Sequence, residues 1–308
     1  MTTRTVNITV AIATLDRPEG LMRCLEAVLN GQMLPYEVII VDQSHTTATV
    51  QAMQRWVESQ TPPAWQVPVE CIRQNRRGLS ASRNAAIARA RTPVIAFTDD
   101  DCVPEHSWVL TLDQAFARAP IPDTVSGRVL PLGPEQPGQH AVSTRVSTKA
   151  TDYQDGALPW LVGTGGNLAI KRDWFERVGP FDERLGSGAP GKGGEDVDVL
   201  YRLLRAGARC RYDPDVVLYH ERQDSRLRSA KSWAYSFGIG ACCGLWVRRG
   251  QVQGGYLFAV RLYHMLRDSA QAFTQHDRLQ AAQRWIAVRG VCAGLVWGLR
   301  QPGATRAG

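Results

Sequence analysis

The chain has 308 residues, of which 44% are hydrophobic and 21% charged, and this composition excludes a disordered or collagen-like protein. Its seven cysteines are an odd number without a CxxC pair, which predicts neither a disulfide framework nor a zinc site. The net charge of +7 is uneven, because residues 225–308 carry a net +10 and residues 1–224 a net −3. This asymmetry predicts an anionic partner for the basic region: nucleic acid, a membrane surface or a diphosphate.

Predicted strands and helices alternate through the first hundred residues. Their order is strand 7–14, helix 17–31, strand 36–44, helix 47–59, strand 67–73, helix 78–91 with Ser80 as its N-cap, and strand 93–101. This alternation is typical of a doubly wound α/β sheet, in which ligands lie beyond the carboxyl ends of the strands. Thr14, Asp42 and Asp99–Asp101 fall at such ends.

The remaining chain is less regular. Residues 120–160 are rich in Pro and Gly, which predicts loops with one or two strands. The elements predicted after them are a glycine turn at 163–166, a helix at 171–178, a helix at 195–207, a closing strand at 216–221 and Arg-studded helices beyond 225.

Three consecutive aspartates, Asp99, Asp100 and Asp101, follow the apolar run "VIAFT". If the strand continues through them, Asp99 and Asp101 share one face and Asp100 lies on the other. Two carboxylates on one side repel each other unless a cation lies between them or one is protonated. Mg²⁺ and Mn²⁺ take oxygen ligands and leave places for substrate phosphates, so the pattern predicts a metal–diphosphate site. A solvated loop with capping aspartates is the alternative.

Seven segments between residues 7 and 221 carry a family resemblance. They are "VAIATLDRPEGLMRCLEAV", "YEVIIVDQS", "QNRRGLSASRNAAIARA", "VIAFTDDDCVP", "GTGGNLAIKRDWFERVGPFDERLG", "GGEDVDVLYRLLRAG" and "VVLYHE". In this order they resemble family 2 glycosyltransferases of the GT-A fold. The resemblance implies an α/β protein with a Rossmann-like mixed sheet, helices on both faces and a C-terminal helical appendage. We expect a catalytic domain at 1–224, with a nucleotide-binding half at about 1–104 and an acceptor half at about 105–224, followed by a basic helical region at 225–308.

The resemblance also implies roles for individual residues. Nucleotide-sugar contacts are expected at Thr14, Asp16, Arg17, Asp42, Arg83, Asp99, Asp100, Gly165, Gly166 and Asn167. Asp42 would hydrogen-bond the base, and Arg83 would line the base and the diphosphate. Asp16 departs from the family, which commonly has Asn there. Asp101, Asp99 and His220 would hold Mn²⁺ or Mg²⁺, although a His in a strand is often a satisfied structural residue.

Glu195 and Asp196 follow two glycines at the start of the predicted helix 195–207. The resemblance implies that Asp196 is the catalytic base, with Glu195 beside it. A helix N-terminus favours an ionised carboxylate, which suits a base that accepts a proton from an attacking hydroxyl. The alternative is a pair of ordinary helix-start acids. Asp198 is expected to be a helix-surface acid.

The function implied is a metal-dependent, inverting transfer of a sugar from a nucleotide-diphospho-sugar, with a UDP-sugar expected, to an acceptor hydroxyl. The acceptor is a carbohydrate, a lipid-linked molecule or a small molecule. Two alternatives are a sugar nucleotidyltransferase and a non-catalytic nucleotide-sugar-binding GT-A scaffold. The first needs a glycine-rich phosphate loop after the first strand, and "ATLDRPEG" does not supply one.

The basic region contains "SWAYSFGIGACCGLWV", residues 232–247, which is uncharged for sixteen positions but holds three glycines. Because a spanning helix needs about 20 apolar residues, we predict no transmembrane segment. The alternatives are helices lying on anionic lipid and helices packed on the body or on a second subunit, which leaves a homodimer open. No nucleic-acid-binding module is recognised. Without a signal peptide, we expect a cytoplasmic protein, and the first of these alternatives would place it peripherally on the inner membrane face.

Overall fold

The computed structural model describes residues 5–59, 67–274 and 278–302. Contacts between residues divide the chain into two compact units. The first unit consists of Met1–Phe181 and Val199–Gln223, and the second of Asp182–Asp198 and Asp224–Gly308. The boundary expected at residue 224 stays a prediction, and the segment Asp182–Asp198 groups with the C-terminal residues.

The described strands form one mixed sheet of nine strands and a separate sheet of two. They are β1 Thr5–Thr14, β2 Leu34–Asp42, β3 Val69–Arg73, β4 Val94–Asp99, β5 Cys102–Pro104, β6 Thr124–Pro131, β7 Gln139–His140, β8 Thr151–Tyr153, β9 Leu168–Lys171, β10 Cys210–His220 and β11 Gln223–Asp224. The order in the mixed sheet is β3-β2-β1-β4-β9-β6-β10-β5, with β8 also paired to β10, and in the separate sheet β7 pairs with β11. The first four in this order run parallel, and β9 is antiparallel to both of its neighbours.

The described helices alternate with the early strands and dominate the C-terminal region. They are α1 Pro18–Leu29, α2 Ala48–Ser59, α3 Leu79–Arg89, α4 Trp108–Ala117, α5 Trp174–Val178, α6 Glu195–Arg205, α7 Arg228–Arg248, α8 Gln253–Thr274 and α9 Arg278–Arg300. The predicted α/β class and mixed sheet are confirmed, and the C-terminal region is helical as expected.

The central strands are buried on both faces, because helices cover both sides of the sheet. On one side Val10, Ile12 and Val38 pack in a cluster with residues of α1 and α4. On the other side Ile39, Ile95 and Phe97 pack with residues of α3, α5 and α6. This two-sided burial explains why β1, β2 and β4 read as nearly continuous apolar runs, and it leaves their ends as the place for polar groups.

Several predicted elements differ from the structure. Leu168–Lys171 forms a strand where we expected a glycine turn leading into a helix at 171, and the helix itself begins at Trp174. Ser80 is not the N-cap of α3, because Gly78 holds that position with a φ of 140°. Helix α4 was not predicted, and residues 120–160 contain three strands instead of one or two.

Helices α7 and α9 of the second unit pack backbone to backbone. Glycines recur every four residues on both helices, and a Cβ added at Gly240 or Gly244 would lie within 2.4 Å of the α9 backbone. A Cβ at Gly294 or Gly298 would equally meet the backbone of α7 at 2.4 Å or less. Small residues at this spacing let two helices approach closely. Two of the three glycines in the uncharged run 232–247, Gly240 and Gly244, therefore serve the packing of α7 on α9, and the third, Gly238, lies against the backbone of Gly193.

Within the residues that the structure describes, none of the helices combines the length and apolarity that crossing a bilayer requires.

Candidate active site

Polar side chains end three adjacent parallel strands at one edge of the sheet. Thr14 at the end of β1 is paired in register with Asp42 at the end of β2. On the other side of β1, Ala13 is paired with Asp99, the last residue of β4. The strand register therefore brings these residues together at the carboxyl ends of the strands, as predicted.

The three aspartates do not alternate as an extended strand would. Strand β4 ends at Asp99, and Asp100 and Asp101 lie in a turn before β5. The expectation that Asp100 faces away from Asp101 is wrong, because the Arg17 guanidinium approaches both carboxylates, at 3.6 Å and 2.9 Å. The turn therefore concentrates negative charge more than a strand could.

Each aspartate has a different partner. Arg83, a buried residue of α3, donates to Asp99 Oδ1 at 3.2 Å. Thr14 Oγ1 donates to Asp100 Oδ2 at 2.8 Å. Arg17 Nη1 donates to Asp101 Oδ2 at 2.9 Å. The structure thus brings five of the predicted residues, Thr14, Arg17, Arg83, Asp99 and Asp100, around Asp101.

His220 at the end of β10 lies beside this cluster, with its Nε2 3.5 Å from Asp101 Oδ1. Its Nδ1 is 2.8 Å from the carbonyl oxygen of Glu221. Because a carbonyl can only accept, Nδ1 carries the proton in this hydrogen bond, and Nε2 is the ring nitrogen that faces Asp101. A second hydrogen bond that fixes the tautomer in this way is the usual support of a metal-ligating histidine.

Cys102 completes a group of three side chains, with Asp101 and His220, whose candidate ligand atoms lie within 4.8 Å of one another. Burial, with the charges of Asp99 and Asp101, raises the pKa of the Cys102 thiol well above its usual value. Cys102 therefore stays a neutral thiol, which is a poor ligand for a hard cation, and Asp101 and His220 are the fitting donors of this group.

Glu221 was missed by the sequence reasoning. Its carboxylate forms ion pairs with Arg17 and Arg23, so it ties the helix α1 region to the end of β10. The signal was present in the sequence, because Glu221 follows His220 directly in "VVLYHE". The cluster consequently holds four carboxylates, Asp99 to Asp101 and Glu221, against the three guanidinium groups of Arg17, Arg23 and Arg83.

The pKa values of two of these carboxyl groups are raised above their usual range. Burial raises the pKa of Asp99, and the charge of Asp101 reinforces the effect although Arg83 opposes it. Burial likewise raises the pKa of Asp100 to about 6, against the lowering by Thr14 and Arg17. Both shifts mean that the hydrogen bonds and charges of Thr14, Arg17 and Arg83 do not fully offset the cost of burying these two carboxylates.

Asp42 is completely buried, and only half of its carboxylate is satisfied. Its Oδ1 accepts a hydrogen bond from the Ser44 backbone N–H at 2.9 Å. Its Oδ2 is buried without a hydrogen-bond partner among the described residues. An unpaired buried acceptor at the end of a central strand is costly, and it fits an N–H donor supplied by a ligand.

Asp16 joins the loops that follow β1 and β2. Its backbone N–H donates to Ser44 Oγ at 2.8 Å, and its Oδ1 accepts from the His45 N–H at 3.3 Å. Its φ of 54° lies in the left-handed region, where Asn and Asp are enriched among the non-glycine residues. The Asp found where the family commonly has Asn is therefore compatible with the same backbone conformation.

The glycine turn lies directly against the cluster. A Cβ at Gly165 would be 2.7 Å from Arg83 Nη1, and one at Gly166 would be 2.9 Å from Asp99 Oδ2. Asn167 is buried, and its amide accepts from Trp108 Nε1 and donates to the carbonyls of Arg128 and Val216. These bonds occupy the Asn167 side chain within the protein, so the structure gives it an anchoring role for the turn.

Glu195 and Asp196 begin helix α6, as predicted, and both belong to the second unit. Asp196 Oδ1 accepts from the Val197 N–H at 2.8 Å. The preceding Gly194 has a φ of 81°, and Cys242 of α7 donates to its carbonyl oxygen at 3.1 Å. A Cβ at Gly194 would lie 2.8 Å from the Gly238 carbonyl oxygen. The turn that precedes the two acids therefore packs directly against α7.

Asp198 is not a surface acid, as we expected, but is fully buried. It accepts a hydrogen bond from Trp246 Nε1 at 2.8 Å and lies 3.9 Å from Arg249 Nη1. Arg249 also donates to Asp182 at 2.7 Å, as does Arg184. Burial alone would raise the pKa of Asp182, but the hydrogen bonds from Arg184 and the charge of Arg249 outweigh it and hold the pKa below its usual value.

The sequence profile of glycosyl transferase family 2 matches residues 9–179, which is more than half of the chain. The chain belongs to this family. The match covers Asp99–Asp101, their partners Arg17 and Arg83 and the glycine turn, and it ends before His220 and Glu221. The predicted family membership is therefore confirmed. The family profile does not extend to the acids at the start of α6 or to the C-terminal helices.

Curated proteins with related sequences carry glycosyltransferase names. A pre-mycofactocin glycosyltransferase of Mycobacterium tuberculosis is 27% identical over 222 residues, 70% of this chain and 43% of that protein. The chain therefore spans less than half the length of this relative. The glucosyl-dolichyl phosphate glucuronosyltransferase of Haloferax volcanii is 23% identical over 323 residues, 96% of this chain and 97% of that protein.

Solved structures agree with the fold. A mannosyltransferase from Pyrobaculum calidifontis, PcManGT, in complex with GDP-Man and Mn²⁺, has a TM-score of 0.64 at 17% sequence identity. The similarity covers 96% of this chain and 88% of that one. GalNAc-T7, solved with UDP, GalNAc and Mn²⁺, has a TM-score of 0.56 over 78% of this chain and 48% of that one, at 16% identity. At these identities the comparison establishes the GT-A fold.

Proposed function

We propose that this chain is a glycosyltransferase that moves a sugar from a nucleotide-diphospho-sugar to an acceptor hydroxyl. The observation that carries the proposal is the strand-end cluster, in which the carboxylates of Asp99, Asp100, Asp101 and Glu221 face the guanidinium groups of Arg17, Arg23 and Arg83, and Nε2 of His220 lies 3.5 Å from Asp101. Such a cluster is electrostatically incomplete without a cation. The family membership and the names of the curated relatives support the same reaction class.

The residues present fit a divalent cation. Asp101, Asp99 and His220 would hold Mn²⁺ or Mg²⁺, and an imidazole in the donor set favours Mn²⁺. When bound, the ion offsets the charge that develops on the departing diphosphate. Two neighbouring structures contain Mn²⁺ together with a nucleotide or nucleotide-sugar, which is consistent with this donor set.

Three residues of this chain would bind the nucleotide. The unpaired Asp42 Oδ2 is an acceptor that suits the N3–H of uracil or the N1–H of guanine. Arg17 and Arg83, which already lie on the acidic cluster, are placed to donate to diphosphate oxygens. We propose a UDP-sugar as donor, with GDP- and dTDP-sugars as alternatives, because all three bases present an N–H at that edge.

Asp196 would act as the general base. It lies at the start of α6 with Glu195 beside it. The base accepts the proton of the acceptor hydroxyl as that oxygen attacks the anomeric carbon, and the bond to the diphosphate breaks in the same displacement. One displacement inverts the configuration at that carbon. The acceptor is a carbohydrate, a lipid-linked molecule or a small molecule.

A binding screen followed by turnover tests the proposal. Thermal shifts should be measured for UDP, GDP and dTDP with Mn²⁺, with EDTA as the control, because a ligand that binds the folded state raises the melting temperature. The matching sugar nucleotides should then be hydrolysed or transferred by the wild type. Asp196→Asn should retain the thermal shift and lose turnover, whereas Glu195→Gln should retain part of the turnover.

Two results would contradict the proposal. Release of pyrophosphate from a nucleoside triphosphate and a sugar phosphate would instead support a sugar nucleotidyltransferase. Tight nucleotide-sugar binding without turnover in wild type, over a broad acceptor panel, would support a non-catalytic scaffold.

A further inference from the structure

Helix α8 carries a stripe of exposed apolar side chains on one face. The members follow each other at alternating spacings of four and three residues, and they are Val252, Tyr256, Ala259, Tyr263, Leu266, Ala270 and Phe273. Tyr256, Tyr263 and Phe273 are 64%, 63% and 74% exposed. Because these spacings return to the same side of an α-helix, the stripe forms one continuous face along the whole of α8.

The opposite face of α8 already supplies the packing that the helix needs. Gly254, Leu257, Met265 and Ala272 are buried. Met265 packs with Val288 and Val291 of α9. A helix on the surface of a water-soluble bundle normally turns polar residues outward, so a second apolar face indicates contact with something other than water.

The charges near this stripe are almost entirely positive. Arg267 flanks it, is 61% exposed and forms an ion pair with Asp268. Helix α9 exposes Arg289 and Arg300 among its own exposed apolar residues Trp285 and Val296. Across the described residues that follow Asp224, Asp268 is the single acid. Aromatic and aliphatic side chains interleaved with arginine are typical of helices that lie in the interface of an anionic membrane.

A second copy of the chain fits this surface less well. Two copies would bring together two regions that each carry a net +10, and like charges across an interface are repulsive. The three aromatic side chains of the stripe offer about 400 Å², since a fully buried aromatic contributes about 150–250 Å², whereas a stable dimer buries about 800 Å² on each partner. Charge and area therefore both favour an anionic lipid surface.

We propose that the exposed face of α8 docks on the surface of an anionic lipid bilayer. The stripe enters the boundary between headgroups and acyl chains, and the arginines of α8 and α9 contact the lipid phosphates. This docking is independent of the proposed glycosyl transfer, because none of the residues of the stripe belongs to the candidate active site.

Vesicle flotation with the full chain tests the docking surface. Wild type should float with vesicles containing about 25% phosphatidylglycerol, and binding should fall at least about tenfold on pure phosphatidylcholine or in about 0.5 M NaCl. The variant Tyr256→Ser/Tyr263→Ser/Phe273→Ser should lose about tenfold or more of the binding. The matched control, Val57→Ser/Ile121→Ser/Val146→Ser, removes apolar side chains of similar exposure from the first unit and should bind like wild type.

Circular dichroism and nucleotide thermal shifts would show that the stripe variant is folded. If it is not, Arg267→Gln/Arg289→Gln provides a second test, with a loss expected on anionic vesicles. Equal flotation of wild type and a folded stripe variant would overturn the proposal. A dimer in light scattering that the stripe variant abolishes, without vesicle binding by wild type, would also overturn it and would identify a second copy as the occupant.

Discussion

The strand-end cluster of the first unit and the acidic pair Asp182 and Asp198 of the second unit are built from the same residue types. In the first, four carboxylates meet three guanidinium groups, and burial raises the pKa of Asp99 and Asp100. In the second, two carboxylates meet two guanidinium groups and an indole N–H, and the pKa of Asp182 is lowered.

This difference in charge balance distinguishes a candidate binding site from a group of ion pairs that stabilises the fold. The pair in the second unit is balanced by Arg184, Arg249 and Trp246, so it needs no ligand. The strand-end cluster has four carboxylates against three guanidinium groups. At the end of β2, Asp42 has a buried oxygen that accepts no hydrogen bond from the described residues. A carboxylate that the protein does not itself neutralise is therefore the better sign of function.

The largest effect is expected from Asp101→Asn. Loss of this carboxylate should reduce donor turnover by about 10³-fold, equivalent to about 4 kcal/mol of transition-state stabilisation. Mn²⁺ affinity, measured by calorimetry or by electron paramagnetic resonance of the free ion, should fall in parallel. Asp155→Asn, which removes an exposed carboxylate paired with Arg205, is the control and should change neither quantity. Near-normal Mn²⁺ binding by Asp101→Asn would remove the proposed metal site.

Arg249→Met should have the next largest effect, on stability. The substitution removes a positive charge that lies beside the buried Asp198 and the nearly buried Asp182. Removing one partner of a buried ion pair lowers the free energy of unfolding by about 3 kcal/mol. Urea unfolding measures the loss. Arg248→Met, at the exposed neighbouring position, should stay within about 0.5 kcal/mol of wild type. Equal stability of the two variants would mean that the pair is not balanced through Arg249.

Much of the strand-end site follows from local sequence patterns. Alternating strands and helices require parallel pairing, and parallel pairing places Thr14, Asp42 and Asp99 at one edge. The turn at Asp100 and Asp101 did not follow, because whether a strand continues depends on which strand pairs next, and here β5 pairs with the distant β10.

The burial and pairing of the two acids of the second unit could not be predicted from local sequence patterns. Asp198 lies in the first turn of α6, where an acid is normally solvated, and its partner Trp246 is 48 residues away in another helix. Similarly, β9 could not be predicted from "LAIK", because four residues carry too little periodicity and its antiparallel insertion between β4 and β6 is set by tertiary pairing.

Asp100→Asn should move stability in the opposite direction from Arg249→Met. The substitution removes one of the unneutralised charges, while the amide oxygen can still accept from Thr14. Since a pKa of about 6 marks an ionised state that folding disfavours, the variant should be about 1–2 kcal/mol more stable at pH 7.5. Urea unfolding in EDTA measures this gain in stability. Added Mn²⁺ should reduce the difference in unfolding free energy between the variant and wild type. A loss of stability in EDTA would contradict the surplus of negative charge.

The smallest effect is expected from Asp182→Asn, and its pH dependence distinguishes a balanced carboxylate from a surface one. Because the folded-state pKa of Asp182 is lowered, its stabilisation is present above the unfolded value of about 3.9 and is lost as the pH falls through the folded value below it. The variant should therefore be about 1 kcal/mol less stable than wild type at pH 7 and pH 5, and the two should converge below about pH 3.9. Asp173→Asn removes a carboxylate that is 57% exposed in an i,i+4 pair, so it should show almost no difference at any of these pH values. The stability difference between Asp182→Asn and wild type could instead persist unchanged at the lowest pH at which the protein is folded. That result would mean that the amide destabilises the protein through packing and not through lost charge, and it would contradict the proposed contrast in charge balance between the two clusters.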